Sequence, residues 1–161
     1  MIATLESIAP GWPGSYLEDD AVRRCLEIPR GLLDLDELAS PEWRETSFPA
    51  IGLVTDARSL ALFYDDVHRT NGRLAGILGA ALHRELLEPS ASGYDRFVRG
   101  EVQWSLGMRV EGGEIGMGAI GGSSGWYAAG PDYAMSYVTR GLADHSRADP
   151  VADAVESALS A

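Results

Sequence analysis

The stretch from residue 101 to residue 140 constrains the fold most, because it combines short strand patterns, turn sequences and an unusual density of glycine. Nine glycines fall between Gly107 and Gly130, and glycine at this density in strands indicates bulges or the close approach of a backbone or a ligand. Apolar residues alternate with small or polar ones from Trp104 to Val110, as in a half-buried strand. Turn sequences between these patterns have hairpin spacing. The sequence therefore predicts four strands, at 102–110, 114–120, 123–129 and 133–140.

Three segments with helical periodicity flank the strands. The first is predicted to run from Thr55, a good N-cap residue, to Thr70. The second covers residues 73–87 and ends before a cluster of serine, glycine and proline. The third covers residues 149–160, with Asp149 as its N-cap and a proline at its first position. We expect its apolar stripe to pack on one face of the sheet through Val151, Val155 and Leu159.

The order of these elements predicts the α+β class, with one antiparallel sheet and flanking helices. Residues 1–50 contain five prolines and are predicted to be irregular, with short helical pieces at 19–27, 34–38 and 41–45. A length of 161 residues fits a single domain. That domain would comprise an irregular and helical part, 1–92, and a part with antiparallel strands and the closing helix, 93–161.

Charge and cysteine usage exclude several kinds of partner and site. Thirteen basic residues against 24 acidic ones give a formal charge of −11, which argues against nucleic acid and anionic membranes as partners. The longest apolar stretch has nine residues, Leu74 to Leu82, far fewer than the ~20 that span a bilayer. Cys25 is the only cysteine, so a disulfide, a Cys-x-x-Cys pair and a cysteine zinc site are excluded, and we expect a buried or idle thiol. With no signal-peptide pattern at the start, we expect a cytoplasmic location.

The absence of lysine excludes a group of reaction mechanisms. All 13 basic residues are arginine. Schiff-base chemistry, phosphate-loop lysines and Ser-x-x-Lys acyl transfer all need an amine that this chain lacks. Asparagine is nearly absent as well, because Asn71 is the only one.

The run from Gly116 to Gly121 matches the dinucleotide-binding pattern G-x-G-x-x-G. That pattern binds pyrophosphate only where a strand leads into it and a helix N-terminus follows it. Here a strand-like sequence follows, and no βαβ unit surrounds the run. We therefore predict no nucleotide cofactor, and no other cofactor is indicated.

A second pattern, from Gly121 to Gly125, matches the nucleophile elbow G-x-S-x-G around Ser123. An elbow also needs a helix directly after the serine. Asp144 and His145 would complete a serine, acid and base order, but they are adjacent in a polar loop. A glycine-serine turn into a strand is the favoured interpretation, and a hydrolase that uses Ser123 stays as an alternative.

The remaining polar candidates indicate no site. His68 and His83 lie on predicted helices without the spacing of paired metal ligands, so each is predicted to lie at the edge of the core or in solvent. The acidic pairs Asp19-Asp20 and Asp65-Asp66 are predicted to be solvated helix surface. Composition and periodicity therefore predict neither a catalytic residue nor a metal site.

Two stretches nevertheless resemble the serine β-lactamase-related esterases. Within residues 29–67, the runs Ser40-Pro41-Glu42-Trp43-Arg44, Phe48-Pro49-Ala50 and Thr55-Asp56-Ala57-Arg58-Ser59-Leu60-Ala61 are similar to the middle of those proteins. Within residues 93–140, the run Trp104-Ser105-Leu106-Gly107-Met108 is similar to a strand of their C-terminal sheet. The run from Gly116 to Gly125 resembles their third active-site motif, and the run from Tyr133 to Arg140 resembles the next strand.

The resemblance implies a family that acts through three elements, of which this chain has one. A Ser-x-x-Lys supplies nucleophile and base, a Tyr-x-Asn supplies a second proton-transfer group, and a Lys- or His-containing strand lends charge and an oxyanion-hole amide. The first two are absent here. In the third, Met117 stands where the charged residue is expected, followed by Gly118 and Ala119. The backbone amide near Ile120 is the remaining candidate for an oxyanion donor.

The resemblance further implies a partial β-lactamase/transpeptidase-like fold, formed by the C-terminal portion of such a domain. The function it implies is that of a truncated or degenerate hydrolase segment that is inactive alone. The alternative is a pseudoenzyme that acts as a binding or scaffold partner. Partners would be a second copy of the chain, through self-association, or a complementary N-terminal half-domain.

Overall fold

Six antiparallel strands form the main sheet of the computed structural model, which describes residues 3–28, 30, 32–46 and 48–160. Their spatial order follows the chain, so each strand pairs with the next one in sequence. Two further short strands form a separate parallel pair. The main sheet contains β2 (Ala91–Asp95), β3 (Gly100–Trp104), β4 (Arg109–Glu111), β5 (Glu114–Gly118), β6 (Ser124–Ala128) and β7 (Tyr133–Tyr137), and the pair contains β1 (Glu6–Ser7) and β8 (Gly141–Leu142).

The helices lie before and after the main sheet in the chain. Several begin at a side chain that accepts hydrogen bonds from the free amides of the first turn, as with Asp19, Asp34 and Ser40. None of the described helices has the length and apolar character needed to cross a bilayer. The helices are α1 (Asp20–Leu26), α2 (Leu35–Ala39), α3 (Pro41–Glu45), α4 (Ala57–His68), α5 (Arg73–Leu78), α6 (Ala80–Leu87) and α7 (Asp149–Leu159).

This mixed architecture confirms the predicted α+β class and the antiparallel sheet. The short helical pieces of the first 50 residues also lie close to their predicted positions, as α1, α2 and α3. Three boundaries differ. The cap of α4 is Asp56 rather than Thr55, and Ala148 rather than Asp149 precedes α7. The predicted helix 73–87 is two helices, because Gly79 adopts a φ of 77° between α5 and α6.

The predicted strand 102–110 is two strands joined by a tight turn. The amide of Ser105 donates to the carbonyl oxygen of Met108 at 2.8 Å, and Gly107 takes a φ of 113° inside the turn. The strand β2 was not predicted at all. Its residues, from Ala91 to Asp95, have no apolar alternation, and their extended conformation comes from pairing with β3.

Helix α4, not α7, covers the sheet, which corrects the expected packing. Tyr64 and Val67 of α4 are buried in one cluster with Ile115 and Tyr127 of the sheet. In α7 no residue is buried, and Val151 and Leu159 remain 43% and 53% exposed. The glycine of β6 at position 125 explains the choice, because the ring of Tyr64 occupies the space that a side chain there would fill.

The N-terminal segment is irregular, as predicted, but it contacts the second half of the chain at two points. At its start, β1 pairs with β8 and the amide of Glu6 donates to the carbonyl oxygen of Arg140. At its end, Tyr16 stacks on Phe97 with ring centroids 5.1 Å apart. Asp19 forms an ion pair with Arg96 at 2.7 Å. The segment therefore connects β8 to the turn between β2 and β3.

Candidate functional site

The strand predicted to correspond to the third motif lies in the interior of the sheet. Met117 and Gly118 end β5, which pairs with β4 on one side and β6 on the other. Ala119 and Ile120 follow the strand in a short loop. In that loop the amide of Ala119 donates to the carbonyl oxygen of Ser123 at 2.8 Å, while the described chain provides no hydrogen-bond acceptor for the amide of Ile120.

The side chain of Met117 faces the same side of the sheet as α4, because its register partner is Gly125, which contacts Tyr64. Burial raises the pKa of Tyr64, and a hydrogen bond from the backbone amide of Met117 partly opposes that rise. Met117 itself is 45% exposed. The position that bears a cation in the resembling family is therefore accessible here but carries neither a charge nor a donor.

On the opposite side of β5, a histidine lies directly on the strand. A Cβ added to Gly118 would lie 2.9 Å from Cε1 and 3.1 Å from Nε2 of His145. Ser124 is the register partner of Gly118, so its side chain projects from the same face. Its hydroxyl is buried and has no hydrogen-bond partner in the described chain. His145 and Ser124 thus share one region of this face, without a hydrogen bond between them.

The serine and the acid of the alternative elbow interpretation form hydrogen bonds with other residues. The hydroxyl of Ser123 accepts a hydrogen bond from the amide of Thr139 at 3.1 Å, which ties the start of β6 to the end of β7. The carboxylate of Asp144 accepts from the amide and the hydroxyl of Ser146, and these bonds lower its pKa. Ser123 is therefore hydrogen-bonded to a distant residue of the chain and Asp144 to a neighbouring one, and both bonds are structural.

The loop between β5 and β6 packs too tightly for larger residues. Gly121 and Gly122 have φ values of 102° and 91°, a region that side chains disfavour. Added Cβ atoms would overlap the side chain of Leu142 and the carbonyl oxygen of Asp144, respectively. The glycine-serine run is thus a turn into a strand, the interpretation that the sequence favoured over an elbow.

The other two histidines have structural contacts. Nε2 of His83 donates to the carbonyl oxygen of Val67 at 2.7 Å, and the side chain is buried. The ring of His68 stacks on Tyr127 with centroids 3.9 Å apart. His68 is half-buried at the edge of the core, as predicted, whereas His83 is buried, which corrects the expectation of an edge or solvent position. Cys25 is free and exposed, so of the expected buried or idle thiol the buried alternative is wrong.

The sequence predicts that the two acidic pairs are solvated helix surface, but residues of both pairs also form specific contacts. Asp19 caps α1 and pairs with Arg96, and these hydrogen bonds lower its pKa. Asp66 accepts from the amides of residues 73 and 74 at 2.7 and 2.9 Å, which closes the loop before α5 and lowers its pKa. Asp65 pairs with Arg69 at 2.7 Å, one helical turn away. Only Asp19 gave a sequence signal for its role, because it directly precedes α1, where a carboxylate satisfies the free amides of the first turn.

Within the described residues, no three His, Cys, Asp or Glu side chains converge in a way that could hold a metal ion. Comparison of the chain with protein-family models and with curated proteins finds no match. The approach of His145 to Gly118 was missed at the sequence level. Its only signal was the glycine in the strand, which permits the close approach of another group but does not identify it.

Proposed function

We propose that this chain is a degenerate β-lactamase-related segment that contributes the third-motif strand of a hydrolase-like domain and does not catalyse acyl transfer by itself. The observation that carries the proposal is Met117. It occupies the accessible end of a central strand, where the resemblance implies a lysine or histidine. A thioether has no charge and no hydrogen to donate, so it cannot stabilise a developing oxyanion.

The state of the nearby nucleophiles supports the same proposal. Ser123 is engaged by the amide of Thr139, and the hydroxyl of Ser124 is shielded from solvent. The chain also has no lysine to act as the base of a Ser-x-x-Lys pair. What remains of the family's machinery is the strand and the amide of Ile120, which has no protein partner in the described chain. A donor without a nucleophile and base cannot form the acyl-enzyme on which the family's reaction depends.

The test is covalent labelling and hydrolysis by the purified chain. We expect no labelling by a fluorophosphonate or a penicillin probe, and no hydrolysis of p-nitrophenyl esters or nitrocefin above the rate in buffer. The loss of nucleophile and base typically costs a factor of 10³ or more. For the same reason, Met117→His should not produce activity, since it restores a charge without a nucleophile.

Two outcomes distinguish this proposal from its competitors. Co-expression with the N-terminal half of a related esterase should produce activity only in the mixture, if the chain supplies the missing strand. Stoichiometric labelling of the chain alone, abolished by Ser123→Ala or by Ser124→Ala, would instead establish an active serine and overturn the proposal.

A pseudoenzyme that acts as a binding partner is the second candidate, and the unpaired edge β2 favours it. Four of its five residues are exposed, and it pairs with a strand on one side only. Large apolar side chains such as Leu53 and Ile77 are also largely exposed. Open edges and exposed apolar surface are the features through which chains associate.

The second candidate and the expected self-association are tested by sedimentation. We expect concentration-dependent association and binding of an ANS-type dye. Tyr94→Lys, which places a charge on the open edge, should shift the chain toward monomer, because edge lysines oppose strand pairing. A sharp monomer that binds no dye would contradict the expectation, and equal association of the Tyr94→Lys variant would show that β2 is not the contact.

A further inference from the structure

The apolar stripe of α7 is exposed at two of its large side chains. Val151 and Leu159 are both exposed, although valine and leucine at this spacing normally mark the buried face of a helix. Tyr133 holds the helix by donating to Glu156 at 3.3 Å. The helix is therefore attached to the sheet in its C-terminal half, and the stripe is half-buried at Val155 but exposed at Val151 and Leu159.

The charged residues of α7 are all acidic, and Glu156 is the one that lies beside Leu159. Asp149, Asp153 and Glu156 are all exposed, and α7 contains neither arginine nor lysine. The carbonyl groups at the C-terminal end of the helix add partial negative charge near Glu156. The surface thus combines an apolar stripe with charge of one sign.

A cleft of about 710 Å³ continues this surface at the C-terminal end of α7. Leu159 and Glu156 line it from the helix, Glu114 from β5 and Glu111 from β4, with the uncharged turns before β5 and β7 on its other sides. Glu111 pairs with Arg109 at 2.5 Å. In the described chain no arginine lies within ion-pair distance of Glu114 or Glu156.

These carboxylates make the cleft unfavourable for further negative charge. Burial raises the pKa of Glu114, and the charges of Glu156 and Glu111 add to that rise. A cation placed beside such a carboxylate stabilises its ionised form. A guanidinium or ammonium group entering the cleft would relieve the repulsion, while Leu159 would contact its aliphatic stem.

We propose that the α7 stripe and the adjoining cleft form a docking surface for a basic amphipathic helix of a partner protein. The apolar face of that helix covers Val151 and Leu159, and one of its basic side chains enters the cleft between Glu114 and Glu156. This surface goes beyond the proposed function, because it holds whether or not the chain pairs with a hydrolase half-domain. A second copy of this chain is disfavoured as the occupant, since it would present the same acidic residues.

The experiment uses the full chain and a labelled synthetic helical peptide that has a leucine stripe bordered by arginines. We expect binding that weakens as salt is raised, and no binding of the matched peptide with glutamate in place of arginine. Binding should also weaken as the pH falls through the raised pKa of Glu114, since protonation of Glu114 removes a charge that attracts the arginine. The other carboxylates facing Glu114 are Glu111, which pairs with Arg109, and Glu156, which accepts a hydrogen bond from Tyr133.

Variants locate the contact. Glu156→Gln and Leu159→Ser should each weaken binding by about tenfold, whereas Glu85→Gln on α6 and Ile77→Ser on α5 should leave it unchanged. Circular dichroism verifies that each variant is folded. Equal binding of the two peptides to the unaltered chain would overturn the proposal. It would also be overturned if Glu85→Gln and Ile77→Ser weakened binding as much as Glu156→Gln and Leu159→Ser. Neither result depends on acyl-transfer activity, so the proposal fails separately from the proposed function.

Discussion

Gly116→Ala should cost about 3 kcal/mol or more, the upper range for overpacking of a protein interior. A Cβ at this position would overlap the carbonyl oxygen of Gly125 and the Cβ and Cα of Trp126. Backbone atoms of a paired strand cannot move aside without breaking the ladder between β5 and β6. Since domains of this size are stable by only about 5–15 kcal/mol, the substitution should remove a substantial share of the free energy of unfolding.

The measurement is the free energy of unfolding from denaturant titration, with Gly130→Ala as the matched control. Gly130 lies in the turn before β7, where an added Cβ meets nothing within 4 Å and the backbone is not in the left-handed region. The control variant should therefore match the parent within about 0.5 kcal/mol. Equal stability of Gly116→Ala and Gly130→Ala would show that β5 and β6 are not packed as described.

The hairpins of the second half were predictable because turn chemistry is local. The sequences at 111–114 and 130–132 contain the glycine, proline and aspartate that reverse a chain. They place β5, β6 and β7 inside the predicted strands, with errors only at the ends. The register also follows, since a short turn leaves two antiparallel strands little choice of pairing.

The packing of helices on the sheet was not predictable in the same way. Both α4 and α7 have an apolar stripe, and periodicity cannot indicate which of them covers the sheet. The choice depends on Gly125, more than 50 residues beyond α4 in the chain, because its missing side chain admits Tyr64. The strand β2 escaped prediction for a related reason: its conformation depends on β3 rather than on its own residues.

The candidate site shows the same division. Local pattern predicts a strand at 114–120, and the structure places Met117 and Gly118 in β5 but ends the strand there, so Ala119 and Ile120 lie in the loop rather than in the predicted strand. The contact of His145 with Gly118, and the engagement of Ser123 by Thr139, are long-range features that no spacing rule predicts. The serine on the face of His145 is Ser124, because alternation along a strand places neighbouring residues on opposite faces.

The contact between Gly125 and Tyr64 gives the second large effect. In Gly125→Ala the new Cβ would lie 2.5 Å from Cε2 of Tyr64 and 3.1 Å from Cγ of Leu60. We expect the free energy of unfolding to fall by about 1–3 kcal/mol, because α4 must move away from β6 or the ring must leave its rotamer. Tyr64→Leu removes the ring and should itself destabilise the protein, since a buried aromatic group is lost.

A double-mutant cycle isolates the steric term from these two losses. In Gly125→Ala combined with Tyr64→Leu, the methyl group has space that the ring no longer occupies. The double variant should therefore lose less stability than the two single variants lose together, by about 1 kcal/mol or more. A coupling of this size is typical of residues in contact. Denaturant titration of the four proteins measures this coupling. Additive losses would mean that Tyr64 does not lie over Gly125, and α4 would then have to contact the sheet elsewhere.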